Sequence, residues 1–138
     1  MANAIPFKLV TPTRVVFDGE AELVIAVTTE GEEGILPRHA PFLAALRPGI
    51  LRANVAGGTR LELATGEGFM QALPDRVTVL ADEALAFDEV AVAVTRRELS
   101  EALERQRGAA PASAQYAREQ AIIDFANAKL RLTGQTAQ

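Results

Sequence analysis

The sequence predicts an α+β protein: an N-terminal antiparallel β-sandwich (a flattened barrel), followed by a C-terminal two-helix antiparallel hairpin. Three observations predict it. Residues 5–82 alternate apolar and polar side chains with a period of two, and Gly and Pro punctuate them at short intervals. From about Thr95 the apolar period lengthens to that of a helix. A period of two buries one face of a strand and solvates the other, which suits a sandwich or barrel. The change of period divides the chain into residues 1–87 and 88–138.

The strand elements follow in order. Phe7 and Leu9 alternate with polar neighbours, as do Val15 and Phe17, and Leu23, Ile25 and Val27 continue the pattern. From Gly31 to Gly49 the chain holds three Pro, three Gly and one His in 19 residues, which reads as a rigid, shaped loop because Gly and Pro fix backbone direction. Leu61 with Leu63, and Val77 with Val79, mark later strands. Gly57-Gly58 suits a two-residue hairpin turn, which needs positive φ.

The helical part begins ambiguously. Val90-Ala91-Val92-Ala93-Val94 alternates like a strand, yet β-branched residues weaken a helix only modestly. Beyond it, Leu99, Ala102 and Leu103 fall at helical spacing. Thr95-Arg96-Arg97-Glu98 reads as a capping box, and Gly108 as a left-handed stop. Gly108–Pro111 is a turn. Ser113 is a cap for a second helix, on which Tyr116, Ile123, Ala126 and Leu130 share a face and which Gly134 ends. A hairpin of this size buries little alone, so it must dock on the sheet domain or on a partner.

Composition narrows the function. A chain of 138 residues forms one compact unit, or one with a small appendage, and is long enough to bury a core. It has no Cys, so disulfides and thiolate metal sites are excluded. No run reaches the ~18 apolar residues of a membrane span, and Met1–Phe7 lacks the character of a signal peptide. The expectation is a cytosolic protein, or one held at a membrane only by partners, without direct insertion. Residues 1–87 carry seven Lys and Arg against eleven Asp and Glu, and residues 88–138 seven against seven. Neither part is a basic patch, so nucleic acid is not an expected partner.

The candidate chemistry is sparse. His39 is the only histidine. A general base needs a nucleophile or orienting acid beside it, and a metal needs several ligands; Arg38, Ala40 and Pro41 supply neither. An imidazole bonded to loop backbone or lining an interface is the reading. Glu30, Glu32 and Glu33 lack the ligand spacing of a calcium loop and read as a solvated face. Gly66-Glu67-Gly68 has no Lys-Ser or Lys-Thr after it and no helix, so it is a strand turn or bulge and not a phosphate loop. Arg96, Arg97, Arg105, Arg107 and Arg118 lie on the helices. They either pair with Glu101, Glu104 and similar neighbours or meet an acidic partner. No catalytic residue, metal site or cofactor site is assigned, and an enzyme is disfavoured. A stand-alone adaptor carrying an amphipathic hairpin remains as the alternative.

Read as a string, Gly34-Ile35-Leu36-Pro37-Arg38-His39-Ala40-Pro41 resembles the signature segment of the epsilon subunit of bacterial F-type ATP synthases. The resemblance extends over nearly the whole chain. Phe7–Pro12 and Val16–Ala21 look like the family's opening, Val77–Asp82 like its last strand, and Tyr116–Arg131 like its final helix. It implies a non-catalytic rotor subunit of the central stalk that couples rotation between membrane ring and catalytic head in ATP synthesis driven by an ion gradient. The sheet domain would join the gamma subunit to the ring of c subunits, on the cytoplasmic face of the bacterial membrane. The hairpin would move and inhibit ATP hydrolysis by contact with the alpha and beta head. It also places the first helix at Asp88–Val94. Glu32, His39, Arg96, Arg97, Arg105 and Arg118 become interface candidates. Some family members bind ATP on the folded hairpin through Ile or Leu, Asp, two variable residues, Arg, Ala. The matching stretch here is Phe87-Asp88-Glu89-Val90-Ala91-Val92. Asp88 fits, but Ala91 stands where the Arg belongs.

Because the strand pattern closes before the helices begin, a fragment ending at Phe87 is expected to fold alone. Circular dichroism of that fragment checks this; a coil spectrum would count against it.

Overall fold

In the computed structural model, which describes residues 3–135, strands precede helices. The strands are β1 (Ile5–Val10), β2 (Val15–Thr28), β3 (Gly31–Ile35), β4 (Phe42–Leu46), β5 (Gly49–Val55), β6 (Arg60–Thr65), β7 (Gly68–Leu73), β8 (Arg76–Ala81) and β9 (Ala84–Ala86). A 3-10 turn at Phe87–Glu89 leads to α1 (Val92–Arg107) and α2 (Ala114–Leu132). The strand order is β1-β8-β7-β4-β2-β5-β6-β9, with β3 on β2 and a further β1–β2 pairing. That pairing closes the first five strands into a ring, leaving β3, β5, β6 and β9 as a second layer built on β2. All pairings are antiparallel except β1–β8. The α+β class, sandwich followed by hairpin, is therefore what forms.

β2 spans 14 residues and serves both layers. Its first part pairs with β1 and its second with β3 and β5, and the register slips between Ala21 and Leu23. An extra residue reverses which face a strand buries. Phe17, Gly19 and Ala21 sit opposite the core residues Leu9, Phe7 and Ile5, so odd positions face inward there. After the slip the even positions Val24, Ala26 and Thr28 are buried, and Leu23, Ile25 and Val27 are only half-buried. The expected inward set of β2 is thus corrected. A second slip beside Val10 leaves Val15 exposed while Phe17 packs on the core. The core joins Phe7, Leu9, Val24, Ile35, Leu51, Leu63, Met70, Val77 and Val79.

The Gly31–Gly49 segment is not one loop. β3 and β4 occupy most of it, leaving Leu36–Pro41 and Arg47–Pro48 irregular. At the β5–β6 turn Gly57 and Gly58 do hold positive φ, 98° and 96°. Val55 N–H meets Thr59 O, so three residues intervene instead of two. Gly66-Glu67 is a turn, tied to the Asp82-Glu83 turn by Gly66 N–H to Glu83 O and Asp82 N–H to Glu67 O, each 2.9 Å.

The helix starts later than expected. Val90 and Ala91 are extended, and α1 begins at Val92, so Asp88–Ala91 is not α-helical. The Thr95–Glu98 capping box does not form. Thr95 is already inside the helix and donates its hydroxyl to Ala91 O at 2.8 Å, while Glu98 accepts from Lys129 Nζ on α2. Gly108 is right-handed, at φ −88°, correcting the left-handed stop. Ser113 caps α2 by accepting from Tyr116 N–H at 3.1 Å. Gly134, at φ 78°, ends it: Gly134 N–H bonds Arg131 O and Gln135 N–H bonds Leu130 O.

Leu99 and Ala102 of α1 pack against Ile123, Ala126 and Leu130 of α2. The other side of α2 presents Phe125, Ala128 and Leu132 to Ile50, Ala64 and Leu85 on β5, β6 and β9. The hairpin therefore lies folded on the outer face of the second layer, with α2 between α1 and the sheet.

Gly68 gives the sharpest stability test. A Cβ there would lie 1.9 Å from Leu80 O, a backbone atom of the neighbouring strand. Gly68→Ala is expected to destabilise the chain by ~2 kcal/mol or more, on the scale of core overpacking. Urea unfolding measures it; an unchanged midpoint would contradict the packing.

Candidate functional site

Three surfaces hold the candidate residues. The first is the end of the sandwich formed by β3 and the loop after it. Glu32 lies on β3, not in the loop, and its carboxylate accepts from Arg52 Nη2 on β5 at 2.9 Å. The pair bridges across β2, which runs between those two strands. Arg52 Nε is buried with no hydrogen-bond partner. His39 is half-buried in the loop. Its Nδ1 lies 2.8 Å from Ala40 O, its N–H donates to Leu36 O, and its ring stands edge-on to Phe42. Arg38, at φ 65°, donates its N–H to Pro74 O and so anchors the loop to the β7–β8 turn. Leu36 is left exposed. These contacts give His39 a backbone-bonded, shape-holding place and give neither it nor Glu32 a reactive partner.

The second surface was missed by sequence reasoning. Ala45, Phe69, Leu80, Val10 and Val15 are successive cross-strand partners on β4, β7, β8, β1 and β2. They form one apolar row on the outside of the closed ring, with Leu43 two residues from Ala45. Leu43 is 69% exposed, Phe69 58%, Leu80 54% and Val15 54%. Single exposed apolar residues are ordinary, but a contiguous row is a candidate contact surface. The signal lay in the sequence as apolar residues at both parities, Phe69 with Met70 and Val79 with Leu80. It cannot be joined into a row without the strand order.

The third surface is the hairpin. Arg105 Nε donates to Glu119 Oε2 at 3.0 Å, linking α1 to α2, and this bond raises the Arg105 pKa above its ordinary value. Arg107 pairs with Glu104 along α1. Arg96 donates to Gln135 Oε1 at 2.9 Å. Among the described residues Arg97 and Arg118 are in no ion pair. Lys129 is buried, donates to Glu98 Oε1 at 3.0 Å and stands 4.5 Å from the Phe125 ring centre. The structure thus brings Arg105 and Arg118 to one cleft and leaves Arg96 outside it.

That cleft, of about 440 Å³, opens between the hairpin and the Gly66-Glu67 and Asp82-Glu83 turns. Five carboxylates line it, Glu67, Asp82, Glu83, Glu98 and Glu101, against Arg105, Arg118 and Lys129. Arg105 and Lys129 are already paired with carboxylates. Among the described residues no cluster of His, Cys, Asp and Glu is placed to hold a metal ion, and no helix is long and apolar enough to cross a membrane.

Comparison with known proteins agrees with this architecture. Residues 4–87 match the family described as ATP synthase, Delta/Epsilon chain, beta-sandwich domain. An ATP synthase epsilon chain of Herpetosiphon aurantiacus is 40% identical over 131 residues, covering 92% of this chain and 96% of that one. One of Teredinibacter turnerae is 34% identical over 141 aligned positions, covering 100% and 92%. Among solved structures, a chain in the Euglena gracilis mitochondrial ATP synthase assembly of OSCP, F1 and c-ring superposes with a TM-score of 0.75 at 22% identity, covering 91% of this chain and 79% of that one.

The cleft's charge balance bears on nucleotide. A triphosphate entering it meets an acidic lining and one unpaired guanidinium, Arg118, too few donors for its charge. The isolated chain is expected not to bind ATP in the micromolar range, which requires ~8 kcal/mol. Isothermal titration checks this; a saturable micromolar isotherm would overturn it.

Proposed function

The chain belongs to the ATP synthase epsilon-chain family, and on that premise we propose how its surfaces serve a rotor subunit of the central stalk. The open apolar row carries the reading. A lone domain gains nothing from exposing Phe69, Leu80 and Leu43 together, whereas a permanent partner that covers them gains ~25 cal/mol for each Å² of apolar surface removed from water. The gamma subunit is the partner assigned to this row. The end carrying Glu32, His39 and exposed Leu36 is assigned to the ring of c subunits, which turns with the stalk.

The hairpin is the regulatory part. In the folded position α2 fills the outer face of the second layer through a small apolar contact and one loose ion pair, Arg47 to Asp124 at 3.6 Å. Released, the hairpin would carry Arg96, Arg97, Arg105 and Arg118 to the acidic segments of the alpha and beta head and so restrain ATP hydrolysis. No group in the chain does bond-making chemistry in this scheme; the subunit transmits torque. The location that follows is peripheral, on the cytoplasmic face of the bacterial membrane, held by partners. Residues 1–87 would be the contact unit and residues 88–138 the regulatory one.

Two experiments test the scheme. Affinity capture of the tagged chain from its own cells is expected to bring down gamma, alpha and beta subunits; capture of an unrelated partner instead would favour the stand-alone adaptor. In the reconstituted complex, Glu32→Ala and His39→Ala are expected to lower proton pumping per ATP hydrolysed more than they lower the melting temperature of the free chain. Unchanged pumping in both variants would remove these residues from the ring contact.

A further inference from the structure

The hairpin and the sandwich are separate apolar clusters, and the chain crosses from one to the other within a few residues. Ala86 packs on the sandwich cluster and Val92 on the hairpin cluster. Arg14, in the β1–β2 turn, reaches into this crossing. Its Nη2 donates to Ala84 O at 2.9 Å and to Glu89 Oε1 at 3.0 Å. Glu89 Oε1 also accepts from Ala86 N–H at 2.9 Å. These bonds tie β9 and the 3-10 turn to the sandwich as far as Glu89. The Arg14 guanidinium, and then the Ala86 N–H, hold the Glu89 carboxyl below the usual carboxylate range. Past Glu89 only Val90 and Ala91 are extended before α1 begins.

Arg14 has a second relation. It is flanked by Val10 and Val15, the β1 and β2 members of the exposed apolar row, and Thr11 N–H bonds its carbonyl to close the turn. One turn therefore carries both an edge of the row and the anchor of the hairpin linker.

We propose that Arg14 is a positioning residue that clamps the hairpin linker to the row-bearing turn, making Val90–Ala91 the hinge. This deepens the reading of a movable hairpin and rests on it. The hairpin itself moves as a unit, because α1 meets α2 through an apolar seam and two cross-helix ion pairs, Arg105–Glu119 and Lys129–Glu98.

The test uses the full chain, which has no native cysteine. Spin labels at Asp75→Cys and Ala110→Cys, both exposed, report the distance from sandwich to hairpin tip. Arg14→Ala and Glu89→Gln are each expected to raise the separated population about two- to fivefold, the scale of a partly exposed ion pair. The double variant is expected to add nothing beyond the larger single effect, since both weaken the Arg14–Glu89 pair and Arg14→Ala also loses the bond to Ala84 O. Glu89→Gln keeps the side chain's shape, so its effect does not depend on the fold surviving loss of Arg14. Phe125→Asp, which breaks the docking cluster, separates the two failures. If it releases the hairpin while Arg14→Ala and Glu89→Gln leave the distances unchanged, the clamp is wrong and the movable hairpin stands. If none of the three changes the distances, the movable hairpin and the clamp both fall.

Discussion

β2 is long enough to belong to two layers, and every other part of the molecule is placed by the way it changes allegiance. Before Ala21 it closes the ring with β1; after Leu23 it carries β3 and β5. The register slip between these residues turns its buried face over while keeping the chain continuous. Without that slip Leu23, Ile25 and Val27 would point into the core and Val24, Ala26 and Thr28 out of it.

The layered arrangement leaves the apolar outer faces unequally served. The second layer's Ile50, Ala64 and Leu85 are covered by the chain's own helix. The ring's Phe69, Leu80 and Leu43 stand exposed, uncovered by any of the described residues. The asymmetry separates a face that the chain covers with its own helix from one that it leaves open. The internal contact is modest in size, consistent with an element that can leave. The external row spans five strands, consistent with a rigid platform.

Charge is distributed to match. Three of the hairpin's seven cations pair with carboxylates of the hairpin itself: Arg105 with Glu119, Lys129 with Glu98, Arg107 with Glu104. The exposed Arg107–Glu104 pair adds only tenths of a kcal/mol, up to about 1 kcal/mol, whereas the other two each hold a buried partner, Glu119 or Lys129. Arg97 and Arg118 start without such partners.

Much of this was determined by the sequence alone, because local chemistry suffices for it. The period of two against the helical period settles α+β class, Ser113 caps its helix with its own hydroxyl, and Gly57, Gly58 and Gly134 take the positive φ that other residues resist. The string Gly34–Pro41 points to the family with no structure at all. Tertiary structure alone decided what depends on neighbours distant in the chain. Strands as irregular as Gly31–Ile35 exist because β2 supplies their hydrogen bonds, not because their residues favour extension. Thr95 fails as a cap because α1 already begins at Val92, so its hydroxyl donates back to Ala91 O, and Glu98 is left to meet Lys129 across the hairpin. The parity of β2 is set by a slip that leaves no mark in composition. The apolar row needs five strands brought side by side from residues 10 to 80, and only a completed sheet order puts them on one face.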